Sequence, residues 1–142
     1  MGEWVNGLLG DWVIRRKNMY QSLEDLDVFK QIENIEDAIW KEVICWNALS
    51  IDTMGKQLII SSDSIGANMV ESDGRYHYKD ILNFLYIARG SLKESRFWLR
   101  RAVKRKIITE ERYKYFTDEL TSVLKQLNSL ITTRRNRLTA KE

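Results

Sequence analysis

The 142-residue chain contains no proline, which removes the commonest helix breaker and fits a mostly helical protein. It has one cysteine, Cys45, so an intramolecular disulfide is excluded. Set among Val43, Ile44 and Trp46 in a helical pattern, Cys45 reads as a small buried hydrophobe. The single histidine, His77, excludes a His-rich metal site and the Glu-x-x-His pairs of di-iron bundles. It reads as a surface or capping residue. The 7 glycines are scattered and none follows a strand pattern, so neither a phosphate loop nor a dinucleotide fingerprint is present. No apolar run approaches the ~20 residues needed to span a bilayer. The first residues lack the charged start and apolar core of a secretory signal, so the expectation is a cytoplasmic protein with no membrane partner. Without a second histidine or a cysteine near His77, no nucleophile–base pair can be drawn. The expectation is therefore a protein that is not an enzyme, with no catalytic residue, no metal and no cofactor.

What is present favours one helical domain. Hydrophobic residues make up 44% of the chain and charged residues 30%, enough for a core and a solvated surface. The net charge of +3 hides an asymmetry. Residues 1–74 carry 6 Lys and Arg against 13 Asp and Glu, whereas residues 75–142 carry 17 against 7. Such a dipolar chain fits self-association between unlike surfaces, a polyanionic partner, or both.

Residues 80–106 organise the rest. Ile81, Leu85, Ala88, Leu92, Ser95, Leu99 and Ala102 recur in steps of four and three, the spacing of a seam facing partner helices. Phe84, Ile87, Ser91 and Trp98 form a mostly apolar flank beside it. Arg89, Lys93, Arg96, Arg100 and Lys104 form a basic flank on the other side.

Three further helices are expected. The first runs over residues 26–49, with seam residues Val28, Ile32, Ile35, Ile39, Val43 and Trp46, flanking Phe29 and Trp40, and a capping arrangement of Ser22 with Asp25. The second runs over residues 53–72, buries Met54, Leu58, Ser61, Ile65 and Met69, and takes Asp52 as its cap. Gly55, Gly66 and Ala67 would let neighbouring backbones come close, and Gly74 suits a left-handed position after the helix. The fourth starts at the cap Thr109 and buries Tyr113, Phe116, Leu120, Val123 or Leu124, Leu127 and Ile131. Short connections imply an all-α, antiparallel up-down-up-down four-helix bundle over residues 21–137. Residues 138–142 form a tail. Residues 1–20, in which Trp4, Leu8 and Trp12 recur every four positions ahead of Arg15, Arg16 and Lys17, form an extension read as a short amphipathic helix packed on the bundle or on a neighbour.

Two candidate sites emerge. Asn68 and Glu71 share a face of the second helix and read as structural hydrogen-bonding residues bridging to the third. The stronger candidate is basic: residues 89–106 hold eight Lys or Arg against one acid, Glu94. Like charges four apart oppose helix formation by a few tenths of a kcal/mol per pair, so a chain that repeats them uses them. Arg89, Lys93, Arg96, Arg100, Arg101, Lys104 and Arg105, continued by Arg134, Arg135 and Arg137, are the expected contacts to RNA or DNA phosphates. Phe29, Trp40, Phe84, Ile87 and Trp98 exceed what one bundle buries and are expected at an oligomer interface.

The stretches SIGANMVES (residues 64–72), FLYIARGSLKE (84–94) and RFWLRRA (96–102) resemble the four-helix bundle proteins encoded in intervening sequences of 23S rRNA genes. That family includes the accessory variability determinant of diversity-generating retroelements. The likeness covers roughly residues 23–137. It implies a barrel-shaped homopentamer without enzymatic activity. For the retroelement branch it implies binding to RNA or DNA and to a reverse transcriptase through a basic surface. For the ribosomal branch it leaves a structural or protein-interaction role without nucleic-acid binding as the alternative.

Overall fold

The computed structural model describes residues 23–140. The expected amphipathic helix in residues 1–20 and the cap from Ser22 lie outside the described residues. After a 3-10 turn at Leu23–Asp25, helix α1 spans Asp27–Val43. Segments Ala48–Ser50, Ile51–Gly55 and Lys56–Asp73 then follow without a break and form one helix, α2, whose middle segment is a π turn. Helices α3, Tyr78–Lys104, and α4, Glu110–Thr139, complete an all-helical bundle with no strand among the described residues.

The seams fold inward as their spacing demands. Ile32, Ile35, Ile39 and Val43 of α1 are buried with Leu58, Ile65 and Met69 of α2, Leu85, Ala88, Leu92 and Leu99 of α3, and Phe116, Leu120, Leu127 and Ile131 of α4. Val123, rather than Leu124, takes the fully buried place on α4. Helix α2 packs on α1 and α3, and α4 packs on α3 and α1. Between α2 and α3 the core holds Ser61 and Ser95, their hydroxyls 3.0 Å apart, and Ser62 is also buried on α2. Ser61 donates to the Leu58 carbonyl at 3.1 Å, Ser62 to that of Ile59 at 3.1 Å and Ser95 to that of Ser91 at 2.9 Å. Each buried hydroxyl is thereby satisfied by its own helix, and the small side chains let the two helices come close.

Several local expectations are corrected. Helix α1 stops at Val43, not at residue 49, and the chain turns through residues 44–47. Asn47, not Asp52, caps α2: its side chain accepts the Ser50 N–H at 2.9 Å. Asp52 instead pairs with Lys56 at 3.2 Å. Trp46 is buried in this turn, against Gly55, where an added Cβ would meet Val43 Cγ1 at 2.7 Å. Leaving the helix turns Cys45 outward: it is exposed, and its thiol donates to the Lys41 carbonyl at 3.4 Å. His77 is exposed at the start of α3 and makes no side-chain cap. Gly74 closes α2 with a right-handed φ of −79°, so its freedom is not used there. Thr109 does cap α4, accepting the Arg112 N–H at 3.1 Å.

Helix α3 ends two residues before Lys106, the position to which its sequence pattern extends. Lys106 has φ 59°. Its N–H bonds the Val103 carbonyl at 3.0 Å, and the Ile107 N–H reaches back to that of Ala102 at 2.9 Å, the bonding pattern of a Schellman close. A left-handed conformation is costly for a side chain with a Cβ. Lys106→Gly is expected to raise unfolding stability by about 1 kcal/mol, read by denaturant titration; a loss of stability would contradict this account of the turn.

Candidate nucleic-acid interface

The basic row is laid along the seam between α3 and α4. The α3 core face (Ala88, Leu92, Ser95, Leu99) points into the bundle, so Arg89, Lys93, Arg96, Arg100 and Lys104 fall on its edge toward α4. At 1.5 Å per residue the row is about 22 Å long. Lys93, Arg100, Lys104 and Arg105 are exposed, while Arg96 and Arg101 are half-buried, Arg101 being turned off the row. Helix α4 brings its arginines to the other end. Arg135 donates to the Tyr86 hydroxyl at 2.9 Å and lies 5.9 Å from the ring centre. Arg89 stacks over the same ring at 5.1 Å and donates to Asn128 Oδ1 at 3.2 Å. Tyr86 and Asn128 thus hold two guanidinium groups together. Arg134 is half-buried and Arg137 exposed.

None of these ten cations forms an ion pair among the described residues. The pairs present are Lys56–Asp52, Arg75–Glu71, Arg112–Glu42 and Lys114–Asp118, all elsewhere. The row is therefore an uncompensated positive field on a rigid helix.

The expected interface residues do not form one surface. Phe29 is buried in the subunit core and is corrected from interface to core, because its ring falls on the inner side of α1 with Val28 and Ile32. Phe84 is half-buried with the Arg75 guanidinium 4.7 Å above its ring. Trp98 is half-buried against the core and donates to Glu94 at 3.3 Å. Ile87 (44% exposed) stays open on α3, and Trp40 (54%) on α1. Asn68 and Glu71 do not bridge to α3. Asn68 donates to the Ser64 carbonyl at 2.7 Å and Glu71 accepts from Arg75 at 3.2 Å, both within their own segment.

One acid is not foreseeable as special from the sequence pattern alone. Glu36 of α1 lies between Ile32 and Ile39 on the buried side and accepts the Gly66 N–H at 2.9 Å. A Cβ on Gly66 would stand 2.6 Å from that carboxyl, so glycine makes the room. Burial pushes Glu36 up to about 8, the Gly66 hydrogen bond opposing and nearby Asp63, Glu33 and Asp37 adding to the rise. The one signal in the sequence is a glutamate at an apolar-face position.

Residues 24–129 match the family described as 23S rRNA-intervening sequence protein. The chain belongs to this family. A solved structure with the same fold is a protein of unknown function from the S23 ribosomal protein family of Bacteroides thetaiotaomicron. It is 26% identical, with a TM-score of 0.67 over 74% of this chain and 95% of that one. No curated protein matches. The matched residues of this family member end before Arg134, so its last arginines lie beyond the family region. Among the described residues no helix is long and apolar enough to cross a membrane, and no cluster of three or more His, Cys, Asp or Glu side chains is placed to hold a metal.

Proposed function

We propose that this chain is a non-enzymatic, cytoplasmic accessory protein that binds RNA or DNA with little sequence preference, through phosphates along the α3–α4 face. One observation carries the reading: ten cations lie along α3 and α4 and none has a carboxylate partner among the described residues. Evenly spaced guanidinium and ammonium groups on a rigid helix suit a phosphate backbone, and they carry no base-reading geometry. Gel shift with structured RNA and with single-stranded DNA tests it; both are expected to bind.

The subunit in this reading is an antiparallel up-down-up-down bundle. The crossed order of contacts supports this: Gln31 meets Gln126 while Glu42 meets Arg112, and Tyr86 meets Arg135 while Arg89 meets Asn128. Subunits assemble into a homo-oligomer, a pentamer by the family resemblance, so that the basic faces repeat and act together; a reverse transcriptase is the protein partner of the retroelement branch. Open Ile87 and half-buried Trp98, three turns apart on one flank of α3, form the favoured contact flank. Ile87→Asp is expected to shift the mass by light scattering at micromolar concentration toward the 16.8 kDa of one chain without loss of helicity. A wild-type protein already of that mass would contradict the assembly.

A further inference from the structure

The α1–α2 face holds two features that phosphate binding leaves unused, and they lie in line. Trp40 and Ile44 of α1, with Ile59 and Ile60 of α2, border an open apolar groove of ≈ 300 Å³. Trp40, Ile44 and Ile60 are each more than half exposed. Next along the same stripe of α1 stand Glu33 and Asp37, four and three residues apart from their neighbours toward Trp40, and beside them on α2 stands Asp63, three residues past Ile60. All three carboxylates are exposed and unpaired among the described residues. Partial burial and the nearby Asp37 hold Asp63 above the usual carboxylate range, which fits the placing of Asp37 and Asp63 side by side across α1 and α2.

We infer that this face is the seat of the chain's own residues 4–17, docked within the same subunit. The apolar residues Trp4, Leu8 and Trp12 cover the groove, and Arg15, Arg16 and Lys17 lie over Asp37, Asp63 and Glu33. Three observations select this occupant. The first is order: read back from Leu23, the arm presents its basic triplet and then its apolar residues, and α1 presents its acids and then the groove. The second is charge, three cations against three unpaired carboxylates. The third is reach. Trp40 lies 17 residues beyond Leu23, about 25 Å along the helix. Trp12 lies 11 residues before it, a tether of up to about 37 Å. With the arm in place Trp40 belongs to this seat, and the α3 flank stays free for subunit contacts. The inference does not rest on nucleic-acid binding.

Timed trypsin cleavage after Arg15, Arg16 and Lys17 in the full chain, followed by mass spectrometry, tests it. The comparison variants are Asp37→Lys with Asp63→Lys, and Trp40→Ser with Ile60→Ser, their helicity verified by circular dichroism. All four side chains are exposed, so neither pair of changes opens the core. Wild type is expected to be cut at least tenfold more slowly than either variant, at a rate independent of protein concentration. Adding Arg15→Glu and Arg16→Glu to the Asp37→Lys, Asp63→Lys chain should restore slow cleavage at Lys17. Equal cleavage of wild type and both variants overturns the seat. Protection that grows with protein concentration overturns docking within one subunit and assigns the arm to a second copy.

Discussion

A chain carrying Arg96→Glu, Arg100→Glu and Lys104→Glu is expected to lose nucleic-acid binding while keeping its helicity and oligomer size. The three side chains sit on the α3 edge away from the core, which is built there from Ser95, Leu99 and Ala102, and none takes part in an ion pair among the described residues. Reversal therefore breaks no ion pair among the described residues and leaves the core in place, Arg96 alone of the three being half-buried. It turns the three-apart pairs of Lys93 with position 96 and Arg101 with position 104 into opposite charges, while the four-apart pairs 96–100 and 100–104 stay like-charged as glutamates. Every cation removed leaves a phosphate without its counter-charge, and each new glutamate repels the backbone it faces. Repeated around an oligomer, the weakening is expected to be at least about a hundredfold at low salt. Filter binding reads it. Unchanged affinity would move the function off α3.

Stability is expected to fall as pH rises from 5 to 9, and Glu36→Gln is expected to remove most of that fall. In the unfolded chain Glu36 ionises near 4.5, and in the folded chain near 8. Between these values the folded state holds a proton that the unfolded state has released, so raising the pH disfavours folding. The stability contribution is full below the unfolded value and lost as the pH climbs through the folded one. Asp63, also raised, acts in the same direction. Because the Glu36 carboxyl keeps some access to solvent, the effect is on the order of 2 kcal/mol rather than the whole shift. Glutamine keeps an acceptor for the Gly66 N–H and carries no charge. Denaturant titration of both proteins at several pH values reads the difference. A wild-type profile that is flat, or that rises with pH, would show that Glu36 is not desolvated in the fold.

Periodicity explains why the seams were legible and the exceptions were not. Steps of three and four place Ile32, Leu58, Leu92 and Leu120 in the core whatever their partners, so the helices and their buried faces could be read directly. Residues flanking a seam are decided by the neighbouring helix, which no single sequence displays. Phe29 and Trp40 look alike beside the α1 seam, yet one is buried and the other is open. The early end of α1 was hidden because no proline or glycine marks it. Asn47, not Asp52, caps α2 because the helix resumes at Ala48, after the turn in which Trp46 is buried near Gly55. Cys45 turns outward for the same reason. The basic row was legible because a one-signed stripe needs no partner to be seen. The way Tyr86 and Asn128 gather Arg89 and Arg135 was not, since it joins residues of two helices. Glu36 stands at an apolar position, where its pairing with Gly66 depends on how α1 and α2 meet.

The most direct measurement is the affinity of the wild-type chain for a single-stranded DNA and a structured RNA across a salt series. Binding through phosphates releases counterions, so the logarithm of affinity should fall linearly with the logarithm of salt concentration, by about 0.7 to 0.9 units of slope per phosphate engaged. The row predicts a slope of several units on both nucleic acids, with tight binding at about 50 mM salt. Absence of binding at that concentration, or an affinity insensitive to salt, would contradict the α3–α4 face as a phosphate-binding surface.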